Sequence, residues 1–310
     1  MNSFKKQIKK IPNKLRYCIS FSFSGGLTKY NNNKQYKVIE KSILAFKRSD
    51  NTTLAVVIHL FYVDNWRLFV QKMTNLNKYQ FDIFVTIPKE NNYFKKEILN
   101  TYPKATIIVV PNRGRDVLPF IKIAEKLYKS GYESVLKFHS KKSTHREDGQ
   151  EWLDDMLNKL LPDKPIVIDS IYKKLQDKNT GVLGPEGVYY PLTVNFPANG
   201  VHMTQIIKKL YNSNLAHDYL QLNRNQYGFF GGTMFWARLD AIKSLLDFPV
   251  RYFETEAGQI DGTFAHALER LFTVVPEINK KNNYEINDKG VVVRPYMSTN
   301  IPDWSEDHLK

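Results

Sequence analysis

Pro111-Asn112-Arg113-Gly114-Arg115-Asp116 sets two guanidinium groups around a glycine, directly after an apolar run and directly before an amphipathic stretch. At a strand-to-helix turn, backbone N–H groups and the helix dipole favour an anion, and arginines there hold phosphate through charge-assisted bonds. Asn112, Arg113, Arg115 and Asp116 are thus candidates for gripping a diphosphate. The structural alternative is a turn in which Gly114 takes a positive φ and Asp116 caps the helix. A second stretch, Lys137 to Arg146, holds six potentially cationic groups and three hydroxyls in ten residues. Strand alternation sends Lys137 and His139 one way and Phe138 the other, so Lys137, His139 and Lys141 join the phosphate-binding candidates. Its two histidines are six residues apart with no third ligand nearby, which argues against a metal site there. The alternative is a solvated basic loop.

Two further stretches fit the other side of a transfer reaction. In Tyr227-Gly228-Phe229-Phe230-Gly231-Gly232-Thr233-Met234-Phe235-Trp236, glycines permit close backbone approach and aromatic faces can stack on sugars or bases. Tyr227, Phe230, Gly231, Gly232 and Trp236 are the candidates, against the alternative of a glycine bulge in a buried strand. Glu254-Thr255-Glu256-Ala257-Gly258-Gln259-Ile260-Asp261 places three carboxylates at what reads as the start of a helix over Ile260–Phe272. One acid is explained by capping; three invite general-base chemistry, with Asp261 first and Glu256 in reserve.

These residues need a scaffold, and the intervening pattern supplies one. Short runs rich in Val, Ile and Phe (Leu54–Phe61, Phe81–Ile87, Ala105–Val110, Ser134–Phe138) alternate with helix-spaced segments such as Trp66–Leu76 and Val117–Leu127. Four alternations in about 110 residues imply right-handed βαβ units, an α/β fold with a mostly parallel sheet and helices on both faces. Ligands of such sheets bind at the carboxyl ends of the strands. That edge includes His59 and Tyr62. Further on, helical patterns at Trp152–Leu161, Ile166–Leu175 and Met203–Tyr211 alternate with strand-like Gly181–Gly184, Phe229–Ala237 and Val291–Val293. The organisation reads as a basic arm over 1–50, one domain over 51–275 with a first half at 51–150 and a second at 180–275, and a C-terminal extension over 276–310 packed on it.

The combination of His59-Leu60-Phe61-Tyr62 with Trp66, Phe81 to Thr86, Asn112 to Asp116, Lys137 to Ser143, Phe230 to Phe235 and Asp261 to Arg270 resembles the rhamnan synthesis protein F family of bacterial polysaccharide glycosyltransferases. The resemblance covers roughly residues 54–275. It implies a GT-A-like nucleotide-sugar fold that transfers a sugar, often rhamnose, from a dTDP-sugar or a UDP- or GDP-sugar onto a lipid-linked glycan of the cell surface, by inversion. It implies the nucleotide base near His59 to Asp64 and the loop after Thr86, the diphosphate at Arg113, Arg115, Lys137, His139 and Lys141, and the base at Asp261. GT-A enzymes normally hold a divalent metal with Asp-x-Asp at a strand end. Here Lys137-Phe138-His139-Ser140 stands in that place, so side-chain cations take over and no metal cofactor is expected.

The bulk properties limit the alternatives. The 45 Lys and Arg outnumber the 31 Asp and Glu, for a net charge of +14. Such a surplus attracts polyanions: nucleic acid, anionic lipid or a phosphorylated substrate. Its strongest clusters sit at two strand ends rather than along one face, which disfavours nucleic acid. A solvated surface accounts for part of the excess, and a non-catalytic scaffold of a polysaccharide assembly complex is the remaining alternative. One cysteine, Cys18, excludes an internal disulfide and fits a reducing, cytoplasmic setting. The apolar run from Tyr17 to Phe23 is short and broken by serines, which argues against a signal peptide, and no stretch reaches membrane-spanning length. Lys5, Lys6, Lys9, Lys10, Lys14 and Arg16 fit peripheral attachment to an anionic membrane face.

Overall fold

The computed structural model describes residues 48–49, 51–140, 149–194, 196–292 and 297. The basic arm, Lys141 and the rest of its loop to residue 148 lie outside them.

The expected βαβ rhythm is present. Strand β1 (Leu54–His59) leads through α1 (Trp66–Met73) to β2 (Phe81–Pro88), then α2 (Lys95–Thr101), β3 (Thr106–Val110), α3 (Val117–Lys129) and β4 (Ser134–His139). All neighbours within this set pair in parallel, in the order β3-β2-β1-β4. The strands are apolar on both faces because both are covered. Ala55, Val57, Phe84 and Val135 pack toward α3, whereas Val56, Ile58, Val85 and Leu136 pack on the opposite core with Trp66 and Phe69 of α1. Full burial of each such Val, Ile or Phe contributes about 1.5–3 kcal/mol.

Helices α4 (Gly149–Leu160) and α5 (Pro165–Gln176) then lead to β5 (Thr180–Pro185) and a short β6 (Tyr189–Pro191). Helices α6 (Phe196–Tyr211) and α7 (Ala216–Asn223) precede β7 (Gly228–Phe230) and β8 (Phe235–Arg238), and the one-turn α8 (Leu239–Ile242) follows. The single strand expected over Phe229–Ala237 is in fact two. Gly232 (φ 86°) and Thr233 (φ 54°) are both left-handed, which no strand can accommodate. As a result β7 pairs with β6 in a separate two-stranded sheet, while β8 runs antiparallel between β4 and β5.

Helix α9 (Phe264–Ile278) begins four residues later than expected, because Thr263 and His266 form a reciprocal capping box. The acid-bearing segment 254–262 is therefore loop, turned by Gly258 and Gly262 at positive φ. Helix α9 also runs through residue 275. Beyond it, β9 (Asn282–Asn287) pairs in parallel with β5, and β10 (Gly290–Val292) pairs antiparallel with β9. The C-terminal segment to 292 is thus part of the sheet, not an extension packed on it. The polar strand Asn282-Asn283-Tyr284-Glu285-Ile286-Asn287 carries no apolar run, so its pattern hid it. The eight-stranded sheet has the order β10-β9-β5-β8-β4-β1-β2-β3 and is mostly parallel.

Candidate functional site

The carboxyl ends of β1 and β4 meet the turn after β3. By alternation His59, Lys137 and His139 leave their strands on the α3 side. There Lys137 Nζ lies 2.5 Å from Asp116 Oδ2 and donates to Thr233 O at 2.5 Å, above the rings of Phe120 and Phe235. His139 Nδ1 is 3.4 Å from the same Asp116 oxygen. His59 Nδ1 is 2.8 Å from Thr86 Oγ1. Ser140 ties the two strand ends together, accepting from the Tyr62 N–H at 2.8 Å while its own N–H donates to His59 O at 3.0 Å.

Asp116 stands at the N-cap of α3 but makes no side-chain cap bond; its carboxylate faces Lys137 instead. Burial pushes that carboxyl up, yet the charges of His139 and Lys137 outweigh it and hold it well below the usual carboxylate range. Burial lowers His59 to about 4, against the pull of Asp116 and with a push from Lys137. His59 is a neutral imidazole at pH 7.

The turn itself is held left-handed at two successive residues, Gly114 (φ 63°) and Arg115 (φ 55°). A Cβ at Gly114 would lie 2.6 Å from both Leu118 Cβ and Phe253 Cδ1. The two arginines face inward, to the 253–259 loop. Arg113 donates from Nε (2.9 Å) and Nη2 (2.5 Å) to Phe253 O. Arg115 donates its backbone N–H to Glu256 Oε1 at 3.2 Å, places Nε 3.7 Å from Glu256 Oε2, and donates from Nη2 to Gln259 O. Asn112 is exposed beside them. The expected cluster of open cations is therefore a set of matched pairs, Lys137 with Asp116 and Arg115 with Glu256. Arg113 is fixed on a carbonyl near Glu254.

The carboxylates of the 254–261 loop differ sharply. Asp261 is buried, with Oδ2 3.0 Å from Arg270 Nη2 and Oδ1 accepting from Asn199 Nδ2 (3.0 Å) and the Gly262 N–H (2.8 Å). Burial raises its carboxyl, but Arg270, His266 and these donors more than compensate, leaving it below the ordinary value. Glu256 and Glu254 go the other way. Burial raises both, opposed by Arg115 for Glu256 and by the Phe264 N–H for Glu254. Of the two base candidates, Glu256 alone has the elevated proton affinity a base needs, and it is near enough to Asp116 to feel its charge.

The aromatic candidates are elsewhere. The Phe230 and Trp236 rings are each 2% exposed, Phe230 against Tyr189 and Trp236 with its indole N–H donated to Leu160 O at 2.9 Å. Enclosed in the core, neither presents a face to a ligand. Tyr227 is half-buried against α7, its hydroxyl hydrogen-bonded to that of Tyr219. Gly231 gives way to the Tyr190 ring, 2.5 Å from where a Cβ would stand, and the Gly232 N–H donates to Glu269 at 3.1 Å. From this stretch the Thr233 carbonyl and the Phe235 ring reach the site, both against Lys137. The sequence does not single out Thr86, Thr233 or Arg270, whose roles depend on partners from distant segments, and it offers Glu254 as one of three acids without telling them apart.

Among the described residues no group of three or more His, Cys, Asp and Glu is placed to hold a metal, and no helix is long and apolar enough to cross a membrane. The site residues are drawn from positions 59 to 270, and comparison with known proteins covers that whole span. Two uncharacterised proteins, both named WxcX and from two strains of Xanthomonas campestris pv. campestris, are each 41% identical over 163 residues. That stretch is 52% of this chain but 22% of each relative, so the chain spans about a fifth of their length. The family model described as rhamnan synthesis protein F matches residues 5–281, well beyond the 54–275 expected from the motifs and including most of the basic N-terminal segment. The chain belongs to the rhamnan synthesis protein F family, and that membership associates it with polysaccharide (rhamnan) synthesis.

Proposed function

We propose that the chain is a GT-A-like glycosyltransferase that moves a sugar, rhamnose or another surface-glycan sugar, from a nucleotide donor to a lipid-linked polysaccharide at the inner membrane face. The observation that carries this reading is Glu256, a carboxylate raised by burial and set against the left-handed turn beside Lys137, Asp116 and His139. In this reading the donor diphosphate lies over that turn, with Asn112, Arg115, His139 and Lys141 on its oxygens. Lys137 is the buried strut that aligns Asp116 and Thr233 beneath it. Glu256 takes the proton from an acceptor hydroxyl. The hydroxyl oxygen bonds to the anomeric carbon, the bond from that carbon to the diphosphate breaks, and the nucleoside diphosphate leaves with the electron pair. One displacement inverts the centre. Asp261, the alternative base, is held by Arg270 and serves instead to fix α6 against the loop before α9.

The test pairs donor calorimetry with transfer rates. Glu256→Gln should keep donor affinity within a few-fold while turnover falls about 10²- to 10⁴-fold. Asp261→Asn should instead lower stability by about 3 kcal/mol, because Arg270 loses its buried partner. Near-normal turnover in Glu256→Gln sinks the base assignment. Failure of the wild-type chain to bind any of dTDP-, UDP- and GDP-sugars sinks the transferase reading and favours the scaffold alternative.

A further inference from the structure

The outward sides of helices α6 and α7 are open to solvent and apolar at both ends. Helical spacing puts Ala198, Val201, Gln205, Lys208 and Asn212 on one side of α6, and all five are exposed. Beyond the turn, Leu215, Tyr219 and Leu222 form a second exposed stripe at positions i, i+4 and i+7, with Leu215 69% and Leu222 78% in solvent. Tyr211, at the end of α6, is near enough to Tyr219 to interact with it electrostatically. At its other end α6 reaches the acid-bearing loop, where Asn199 holds Asp261 at 3.0 Å and the preceding Ile260 is exposed. Of the eleven large hydrophobic side chains exposed among the described residues, six (Val201, Tyr211, Leu215, Tyr219, Leu222 and Ile260) lie on or beside these two helices. Scattered singly they would need no explanation; gathered, they mark a contact surface.

The charges select the partner. From Phe196 to Arg224 the chain holds one carboxylate, Asp218, against Lys208, Lys209 and Arg224. Lys280 is exposed beside Asn279, to which the Tyr211 hydroxyl donates at 3.1 Å. A second copy of the chain is a poor fit, because two molecules of net charge +14 repel each other. A bilayer with anionic headgroups matches both features. Leucines enter the acyl boundary, tyrosine rings sit with their hydroxyls at headgroup level, and the lysines and arginine meet lipid phosphates.

We infer that the outward side of α6 and α7 docks on an anionic bilayer surface, with Leu215, Tyr219 and Leu222 in the interface and Lys208 over the headgroups. The choice of a membrane rests partly on the lipid-linked acceptor proposed above. Helix α6 then acts as a spacer. At about 1.5 Å per residue, Asn199 and the loop it holds stand about 18 Å along the helix from Tyr211, so an acceptor stays anchored in lipid while its glycan reaches Glu256. Neither this surface nor the basic segment 5–16 suffices alone, since stable attachment takes an apolar and an electrostatic signal together.

The test measures co-sedimentation of the full chain with vesicles of phosphatidylcholine, with and without phosphatidylglycerol. Leu215→Ser and Leu222→Ser should each weaken binding to the anionic vesicles about tenfold while leaving nucleotide-sugar affinity unchanged. Ile166→Ser, at a position 75% exposed on α5, should leave vesicle binding as it is. In a Cys18→Ser chain, an environment-sensitive fluorophore attached through Leu222→Cys should shift to the blue when anionic vesicles are added. Failure of the wild-type chain to bind these vesicles, unchanged binding by both leucine variants, an equal loss in Ile166→Ser, or a silent fluorophore overturns the inference. So does self-association without lipid that Leu222→Ser abolishes, which would assign the surface to a second copy. A chain that binds nucleotide sugar but docks equally well in both leucine variants sinks this inference alone. One that docks through these leucines but binds no nucleotide sugar sinks the transferase reading alone.

Discussion

Lys137 shows how far a single residue's role can lie from its type. Its place at the end of a buried strand suggests a cation waiting for phosphate, but 2% exposure and a 2.5 Å contact with Asp116 make it one half of a buried ion pair. Removing one partner of such a pair strands the other charge. Lys137→Ala should therefore cost about 3–5 kcal/mol of stability, and adding Asp116→Asn should recover a large part of it. Chemical denaturation of the single and double variants checks this; a double variant as unstable as the sum of the singles would refute the pairing. His59 makes a pH prediction. Its folded pKa, about 4, lies below the ordinary 6.5, so between those values the unfolded chain binds a proton that the folded chain refuses. Stability contributed by neutral His59 is complete above about pH 6.5 and is lost as pH falls toward 4. Asp116 acts in the same direction lower down, since its depressed carboxyl contributes above its ordinary 3.8 and is lost below. His59→Gln should flatten the decline between pH 6.5 and 4.5 in urea unfolding; an unchanged slope refutes the assignment.

At the scale of elements, legibility followed periodicity. β1 to β4 and the helices between them were readable because alternation and the 3.6-residue repeat are written in consecutive residues. The site's partners were not, because Glu256 reaches Arg115 across 141 positions and no local pattern encodes that contact. The break between β7 and β8 turned on a left-handed non-glycine residue, Thr233, which a sequence does not announce. The capping box was visible in principle, but histidine fills the position where Glu or Gln is usual. The turn at 114–115 gives the test at this scale. Gly114→Ala adds a Cβ at positive φ within 2.6 Å of Leu118 and Phe253, so it should cost more than about 1–2 kcal/mol and loosen the 253–259 loop. Hydrogen exchange should rise at the Arg115 and Phe264 amides, which Glu256 and Glu254 hold. Unchanged protection there would mean that the turn and the loop are not coupled.

For the whole molecule, the sheet brings both halves of the proposed reaction to one edge. The strands β1 to β4 supply the Lys137–Asp116 cluster, and the loop before α9 supplies the acids. The +14 charge belongs to this scale as well, since the basic segment 5–16 lies outside the described residues but inside the family match. Binding to anionic vesicles should be reversed by salt and lost when residues 1–16 are deleted, at about 1 kcal/mol per basic residue near the surface. Unchanged vesicle binding by the deletion would place the attachment elsewhere.

The position of β8 between β4 and β5 has a consequence for how the chain is made. During synthesis β1 to β4 can pair as each emerges from the ribosome, but β5 at 180–185 has no neighbour until β8, about 50 residues later, arrives to join it to β4. Its other edge stays open until β9 has been translated. At 5–20 residues per second that leaves β5 unpaired for several seconds, an interval in which a nascent chain depends on chaperones or on helices α4 and α5 to shield it. Ribosome stalling between residues 185 and 235 should therefore yield aggregation-prone chains, whereas stalling soon after residue 292 should yield protease-resistant ones.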